Sequence, residues 1–430
     1  MKGRALRAPK GTRDLLPPAT GLWAAVEAEV HRIFALYGYR EIRTPILEET
    51  ELFARGVGEA TDIVGKEMYT FTDRGGRSLT LRPESTAAVC RAYVEHGMQT
   101  LPQPVRLYYL GPQFRYERPQ RGRYRQFHQI GAELLGGRGP ASDVEILLLL
   151  VAFLRRLGFA ELTVLLNTVG DAPSRAAYRA ALLAYLEPRA AELGEESRRR
   201  LGTNPLRILD SKDPAEQELL AAAPRLADHL TPASREHFAA VRAHLDRLGV
   251  AYRVEPRLVR GLDYYTNTVF EVVSGDLGAQ NAICGGGAYE GLVEELGGPP
   301  TYAVGFAIGA DRLLEVLPAG SPLRAPGRHR GPVLLAAAGR LPESGDGVSP
   351  LTPIAERLRS EGVPVVETGA RAPRLFQLAE QLGAPALAFV GEEELARGEL
   401  SLRELGSREQ TRLPFAEAAD RLRRYYEEQP

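Results

Sequence analysis

The sequence predicts an α+β domain with an antiparallel sheet flanked by helices, interrupted by a helical insertion and followed by a smaller α/β domain. Three observations lead there. Strand-like runs in the first third follow one another through connections too short for helical crossovers. From about residue 171 to 248 the texture changes to alanine, leucine, arginine and glutamate with few aromatics. Beyond a stretch rich in proline, glycine and arginine (318–332), strand and helix patterns alternate, as in a partly parallel sheet.

Trp23, Val26, Val30, Ile33 and Phe34 recur at helical spacing and Gly38 follows, so 20–38 reads as an amphipathic helix with a glycine stop. YREIRTPILEET then reads as a strand, followed by strands in RSLTL (77–81), VRLYYLG (105–111) and YRQFHQIGAELLG (124–136). Residues 142–159 return to helix. Strands resume at YRVEPRLVRGLDYYTNTVFEVV, the chain turns at ICGGGAYEGL, and YAVGFAIGADRLLEVL runs from strand into helix. The resulting division is 1–170 and 250–325 for the two parts of the first domain, 171–249 for the insertion and 331–430 for the last domain.

Bulk properties exclude little. A net charge of −1 and a mean hydropathy of −0.22 describe an ordinary globular chain, with no field strong enough to imply a nucleic-acid partner by itself. The basic start has no apolar core of signal-peptide length, and no long uncharged apolar run follows, so the expected location is cytoplasmic. Cys90 and Cys284 lie far apart without a CxxC or histidine cluster, which reads as two buried small residues rather than a disulfide or zinc site. Only Lys2, Lys10, Lys66 and Lys212 are lysine, so a single arginine in this chain carries little information.

Local density carries more. FRYERPQRGRYRQFH (114–128) places Arg115, Arg118, Arg121, Arg123 and Arg125 within eleven residues, interleaved with Tyr124 and Phe127. Guanidinium forks suit phosphate oxygens and flat rings suit a base, so the segment reads either as a triphosphate and purine site or as a solvated hairpin tip. Strand alternation would put Arg115, Phe127 and Gln129 on one inward face. LTLRPESTAAVCRAYVEHG joins strand to helix, where Glu84 and Thr86 either cap the helix or hold a ligand's ammonium group. Arg312, in the first turn of a helix, opposes the macrodipole unless an anion is present. The three glycines of ICGGG allow a tight turn or a close backbone approach to a ligand, and His128 reads as a core or interface histidine. In RLVRGLDYYTNTVFEV, Arg260 stands beside Gly261, and alternation sends Tyr264 and Tyr265 to opposite faces. No GxSxG, HExxH, Walker or GxGxxG segment appears in its proper context.

Taken in order, KGTRDLLPP, TPILEETELF around Pro45, FRYERPQRGRYRQFHQIGAE, LVRGLDYYTNTVFE and GFAIGADR resemble the opening signature, motif 1, motif 2, histidine-specific segment and motif 3 of the histidyl-tRNA synthetases, a class II aminoacyl-tRNA synthetase family. The resemblance implies a class II synthetase catalytic domain and ATP-dependent attachment of L-histidine to its cognate tRNA through a histidyl adenylate. It assigns Glu84, Thr86 and Gln129 to the α-ammonium of histidine, Glu133 and Tyr265 to its imidazole, and Tyr264 and Tyr289 to the same pocket. Arg115 and Arg260 would clamp the α-phosphate of ATP; Phe127 would stack on adenine and Glu117 would receive its amino group. Arg123 and Arg312 would hold the outer phosphates, with Mg²⁺ sharing the charge. A homodimer through the motif 1 region around Pro45 and an anticodon-binding domain at 331–430, with GEEELARGE its closest local match, are also implied. GGAYEGL departs from the family's usual GGRYDGL at Ala288 and Glu290, which puts in doubt any polar contact of the missing arginine. A non-charging histidine sensor, the regulatory subunit of ATP phosphoribosyltransferase, is the competing relative; it lacks such a C-terminal domain.

Overall fold

The structure, a computed structural model, describes the chain apart from residues 1–5, 59–60, 62, 120–121, 212, 260–263, 276–281, 325–330, 343–347, 371 and 428–430. It divides into two compact units, Met1–Pro322 and Leu323–Pro430.

Helix α1 (Ala19–Leu36) buries Val26, Val30, Ile33 and Phe34. It stops where Gly38 takes φ +77°, a conformation that favours glycine. The stretch read as one strand, YREIRTPILEET, forms two short ones, β1 (Arg40–Glu41) and β2 (Leu47–Glu49), which join different sheets. Pro45 between them has no N–H for a ladder. The carbonyls of Thr44 and Pro45 accept instead from the buried Arg82 guanidinium.

After helix α2 (Thr50–Val57), β3 (Tyr69–Thr72) and β4 (Ser78–Leu81) form a three-stranded antiparallel sheet with β2, in the order β2-β4-β3. Helix α3 (Thr86–Glu95), strands β5 (Val105–Phe114) and β6 (Gln126–Leu135), helix α4 (Pro140–Arg156) and strand β7 (Leu162–Thr168) follow. Next come helices α5 (Ala172–Leu186), α6 (Glu195–Thr203), α7 (Pro214–Ala221) and α8 (Pro232–Arg247). Strands β8 (Tyr252–Val254), β9 (Tyr265–Ser274) and β10 (Ala282–Tyr289), helix α9 (Leu292–Glu295), strand β11 (Ala303–Gly309) and helix α10 (Ala310–Glu315) complete the unit.

Eight of these strands make one sheet in the order β1-β5-β6-β11-β10-β9-β7-β8. Its inner pairings are antiparallel, as expected, but both edges, β1 with β5 and β7 with β8, are parallel. Parallel partners need a long connection, and helices lie between the members of each edge pair. The strand alternation assigns the two faces. Even positions such as Tyr108 and Phe306 pack on Phe34 of α1, whose ring also meets Phe153 of α4 at 5.5 Å between centroids. Odd positions face the other way and form the floor of a cavity.

ICGGGAYEGL corrects a second expectation: Ala282–Tyr289 is an inner strand, not a turn. The space at Gly287 is taken by the protein itself, since a Cβ there would lie 2.6 Å from the Thr268 carbonyl oxygen and 2.8 Å from the Tyr265 ring. Both cysteines are free and buried. No helix among the described residues is long and apolar enough to cross a membrane.

The second unit has a five-stranded sheet: β12 (Val333–Ala337), β13 (Val365–Thr368), β14 (Ala386–Val390), β15 (Glu399–Glu404) and β16 (Gln410–Pro414), in the order β13-β12-β14-β15-β16. The first three are parallel and the last two antiparallel. Val333, Leu335, Ile354, Leu358, Ala388 and Leu422 form part of its core. GEEELARGE contains the helix Glu392–Arg397, where Glu394 is anchored by Arg412 at 2.6 Å.

Candidate active site

A cavity of about 460 Å³ opens on the odd face of the large sheet. Glu84, Thr86, Arg115, Glu117, Arg123, Phe127, Gln129, Glu133, Tyr264, Tyr265, Tyr289 and Arg312 all line it. Arg260 lies outside the described residues, and of the arginine cluster Arg118 and Arg125 are not part of the lining.

One end of the cavity is built around Glu133, which is 1% exposed. Tyr289 donates its hydroxyl to Oε2 at 2.7 Å, while Thr86 donates to Oε1 at 2.8 Å and Tyr109 to the same oxygen at 3.5 Å. Register places Glu133 opposite Gly305 and Gly305 opposite Gly287. A Cβ on Gly305 would stand 1.8 Å from Glu133 Oε2, so the glycine makes room for the carboxyl. Burial, reinforced by the nearby Glu84 charge, outweighs the hydrogen bonds and pushes the Glu133 pKa up to about 8. Burial likewise lifts the phenols of Tyr109, Tyr264 and Tyr289 well above their ordinary range, which keeps them neutral donors.

Glu84 caps α3, accepting from the backbone N–H groups of Thr86 and Ala87 at 2.6 and 2.9 Å. Burial nevertheless raises its pKa. Thr86 does not cap; its hydroxyl goes to Glu133. Gln129 is 8% exposed, and its Oε1 has no hydrogen-bond partner among the described residues. A buried acceptor left without a donor costs about 1–3 kcal/mol, which a cationic ligand group would recover.

Tyr264 and Tyr265 do not take opposite faces. Tyr264 precedes the first residue of β9, so alternation does not govern it, and the two rings meet at 4.7 Å with a 51° tilt.

The other end is basic. Arg115 donates Nε to the Pro83 carbonyl at 2.8 Å, and its guanidinium lies 5.3 Å from the centre of the Phe127 ring. Glu117 approaches Arg115 at 3.9 Å. Arg123 is exposed at the rim, and Arg312 is the third residue of α10. His128, at an even position, is half-buried on the opposite face in a second cavity of about 370 Å³, where its ring meets Trp23 at 4.9 Å.

Sequence reasoning missed several contributors. Asp311 accepts from Arg13 and from the backbone N–H of His128, both at 2.7 Å. Burial opposes ionisation of Asp311, but the bonds from His128 and Arg13 prevail and lower its pKa. Arg13 also stacks over Tyr124 at 4.1 Å, so KGTRD is tied to both the arginine-rich strand pair and α10. Its position inside a conspicuous opening segment was the available signal. Arg207, from the helical segment, also reaches the cavity, and nothing local in the sequence marks it.

Two family profiles match the chain: histidyl-tRNA synthetase over residues 11–313 and an anticodon-binding domain over residues 351–425. The histidine–tRNA ligase of Thermosynechococcus vestitus is 48% identical over 414 residues, covering 96% of this chain and 95% of the relative. The chain belongs to the histidyl-tRNA synthetase family. Desulforudis audaxviator has a histidine–tRNA ligase 48% identical over 428 residues, covering 97% and 98% of the two chains. The apo histidyl-tRNA synthetase of S. aureus superimposes with a TM-score of 0.79 at 34% identity, covering 97% of this chain and all of that one. Histidyl-tRNA synthetases are ATP-dependent, and the cavity has one buried, acidic end and one basic, aromatic end.

Proposed function

We propose that this chain attaches L-histidine to its cognate tRNA through a histidyl-adenylate intermediate. The observation that carries the reading is one cavity in which a buried carboxyl cluster with an orphan acceptor adjoins a basic, aromatic end. Gln129 Oε1, with Glu84 and Thr86, would receive the α-ammonium. Glu133, Tyr264, Tyr265 and Tyr289 would surround the imidazole, and buried polar partners of this kind reject analogues that lack the ring nitrogens. Phe127 would stack on adenine and Glu117 would accept from its amino group. Arg115, together with Arg260, would hold the α-phosphate, and Arg123 and Arg312 the outer phosphates.

The histidine carboxylate oxygen then attacks the α-phosphorus, and the bond to pyrophosphate breaks. A hydroxyl of the terminal tRNA adenosine next attacks the histidyl carbonyl and AMP leaves. This chain's residues orient the reactants and stabilise charge; no protein nucleophile is needed. Among the described residues no group of three or more His, Cys, Asp or Glu is arranged to hold a metal. Mg²⁺ bound with ATP would share the triphosphate charge with Arg115, Arg123 and Arg312 at the basic end.

The division into 1–170, 171–249, 250–325 and 331–430, anticodon reading by the last of these, a homodimer through the region around Pro45 and a cytoplasmic location complete the proposal. Charging of a histidine tRNA transcript with labelled histidine tests it. Ester-linked histidine on the tRNA is expected; histidine binding without acylation would make the chain a sensor instead.

A further inference from the structure

Strand β9 departs from its partner β10. Tyr265 pairs with Tyr289 and Thr266 with Ala288, yet Gly287 pairs with Val269. Asn267 and Thr268 are therefore extra residues, and Asn267 sits at φ +49°, which asparagine tolerates better than most side chains. In a regular ladder Asn267 would face Tyr289, and Tyr265 would lie two residues, about 7 Å, farther along the strand. The bulge is what sets Tyr265 opposite Tyr289 in the ladder and its ring over Gly287.

The groups that hold the bulge come from α8, α4 and the end of β7. Asn267 donates its N–H to the Gly170 carbonyl at 2.9 Å and accepts from the Val169 N–H at 2.7 Å. Its side chain accepts from Ser234 of α8 at 3.1 Å and donates to Glu290, the lengthened carboxylate of GGAYEGL, at 3.3 Å. Thr268 donates to Asp143 of α4, which is fully buried. Asp143 also bonds His237 Nε2 at 2.8 Å and accepts from the Tyr302 hydroxyl. Ser234 and His237 lie three residues apart on α8, so one helix face meets both residues of the bulge.

We propose that α8 is a strut for the histidine pocket: through Ser234 and His237 it fixes the β9 bulge, which makes His237 and Asn267 positioning residues for amino-acid recognition. They act through Tyr265 and do not touch the substrate. The inference rests on the reading of Glu133, Tyr264 and Tyr265 as the histidine end of the cavity.

Pyrophosphate exchange by the full chain, with KM for histidine and for ATP measured separately, tests it. His237→Leu removes a partner of Asp143 and is expected to raise the histidine KM about tenfold, equivalent to about 1.4 kcal/mol. The ATP KM is expected to stay within about twofold, because the adenine and phosphate contacts are untouched. His237→Gln restores an amide donor near Nε2 and is expected to recover most of the loss. Asn267→Gly keeps the left-handed backbone, deletes both side-chain links and is expected to raise the histidine KM selectively; it decides the matter if His237→Leu does not fold. Tyr265→Phe separates the two layers. An unchanged histidine KM in Tyr265→Phe overturns the pocket reading. A raised one, with Asn267→Gly and His237→Leu leaving it unchanged or raising both KM values alike, overturns the strut.

Discussion

Replacing Glu133 by glutamine tests the electrostatics at the bottom of the cavity. The carboxyl is buried among the hydroxyls of Tyr289, Thr86 and Tyr109, and its pKa stands at about 8 instead of the ordinary 4.5. Below pH 4.5 it is protonated in the folded and unfolded chain alike, and the folded form keeps its full stability. Above that pH the unfolded chain releases the proton while the folded chain retains it, so stability falls until the pH passes about 8. A pKa difference of this size corresponds to about 5 kcal/mol. Glutamine keeps the shape and does not titrate; any hydrogen bond it loses is lost equally at every pH. Thermal unfolding of substrate-free wild type and Glu133→Gln from pH 5 to 8.5 reads the effect. At roughly 2 °C per kcal/mol, the variant is expected to gain on the wild type by on the order of 10 °C across that range. A gap that stays constant would mean that Glu133 ionises at its ordinary pKa in the folded chain, and the reasoning from burial would be refuted.

Arg260→His is expected to slow adenylate formation by about 10²–10³ with little change in histidine binding, the loss typical of one transition-state donor; an unchanged rate in single-turnover exchange removes Arg260 from the mechanism. Gly305→Ala would bring a methyl within 1.8 Å of Glu133 Oε2 and 2.7 Å of the Ala132 carbonyl. Overpacking of that kind costs about 1–3 kcal/mol, readable as a lowered unfolding temperature together with a raised histidine KM. Removing residues 331–430 is expected to weaken tRNA charging far more than pyrophosphate exchange, and an equal loss of both would contradict the anticodon assignment.

Much of the site was legible because its chemistry is concentrated locally. Five arginines in eleven residues stood above a strong arginine bias, and two-residue periodicity placed Arg115, Phe127 and Gln129 on one face, which the cavity lining shares. Periodicity failed where the backbone leaves the regular strand. Tyr264 lies before β9 begins and its ring meets that of Tyr265 at 4.7 Å, so alternation misassigned that pair. The glycine triplet misled because turn chemistry and close packing favour the same residue; only the neighbouring strands show that Gly287 yields space to Tyr265. YREIRTPILEET divided because its two halves find partners in different sheets, β5 and β4. Arg13 with Asp311, and Asp143 with His237, join residues 298 and 94 positions apart, a separation at which no local pattern operates.

The most direct test of the account is amino-acid-dependent exchange of labelled pyrophosphate into ATP by the purified full chain, with Mg²⁺ present and each of the twenty amino acids offered in turn. Exchange is expected with histidine and none above background with the others. Histidine binding without exchange, or exchange driven as well by another amino acid, would contradict it.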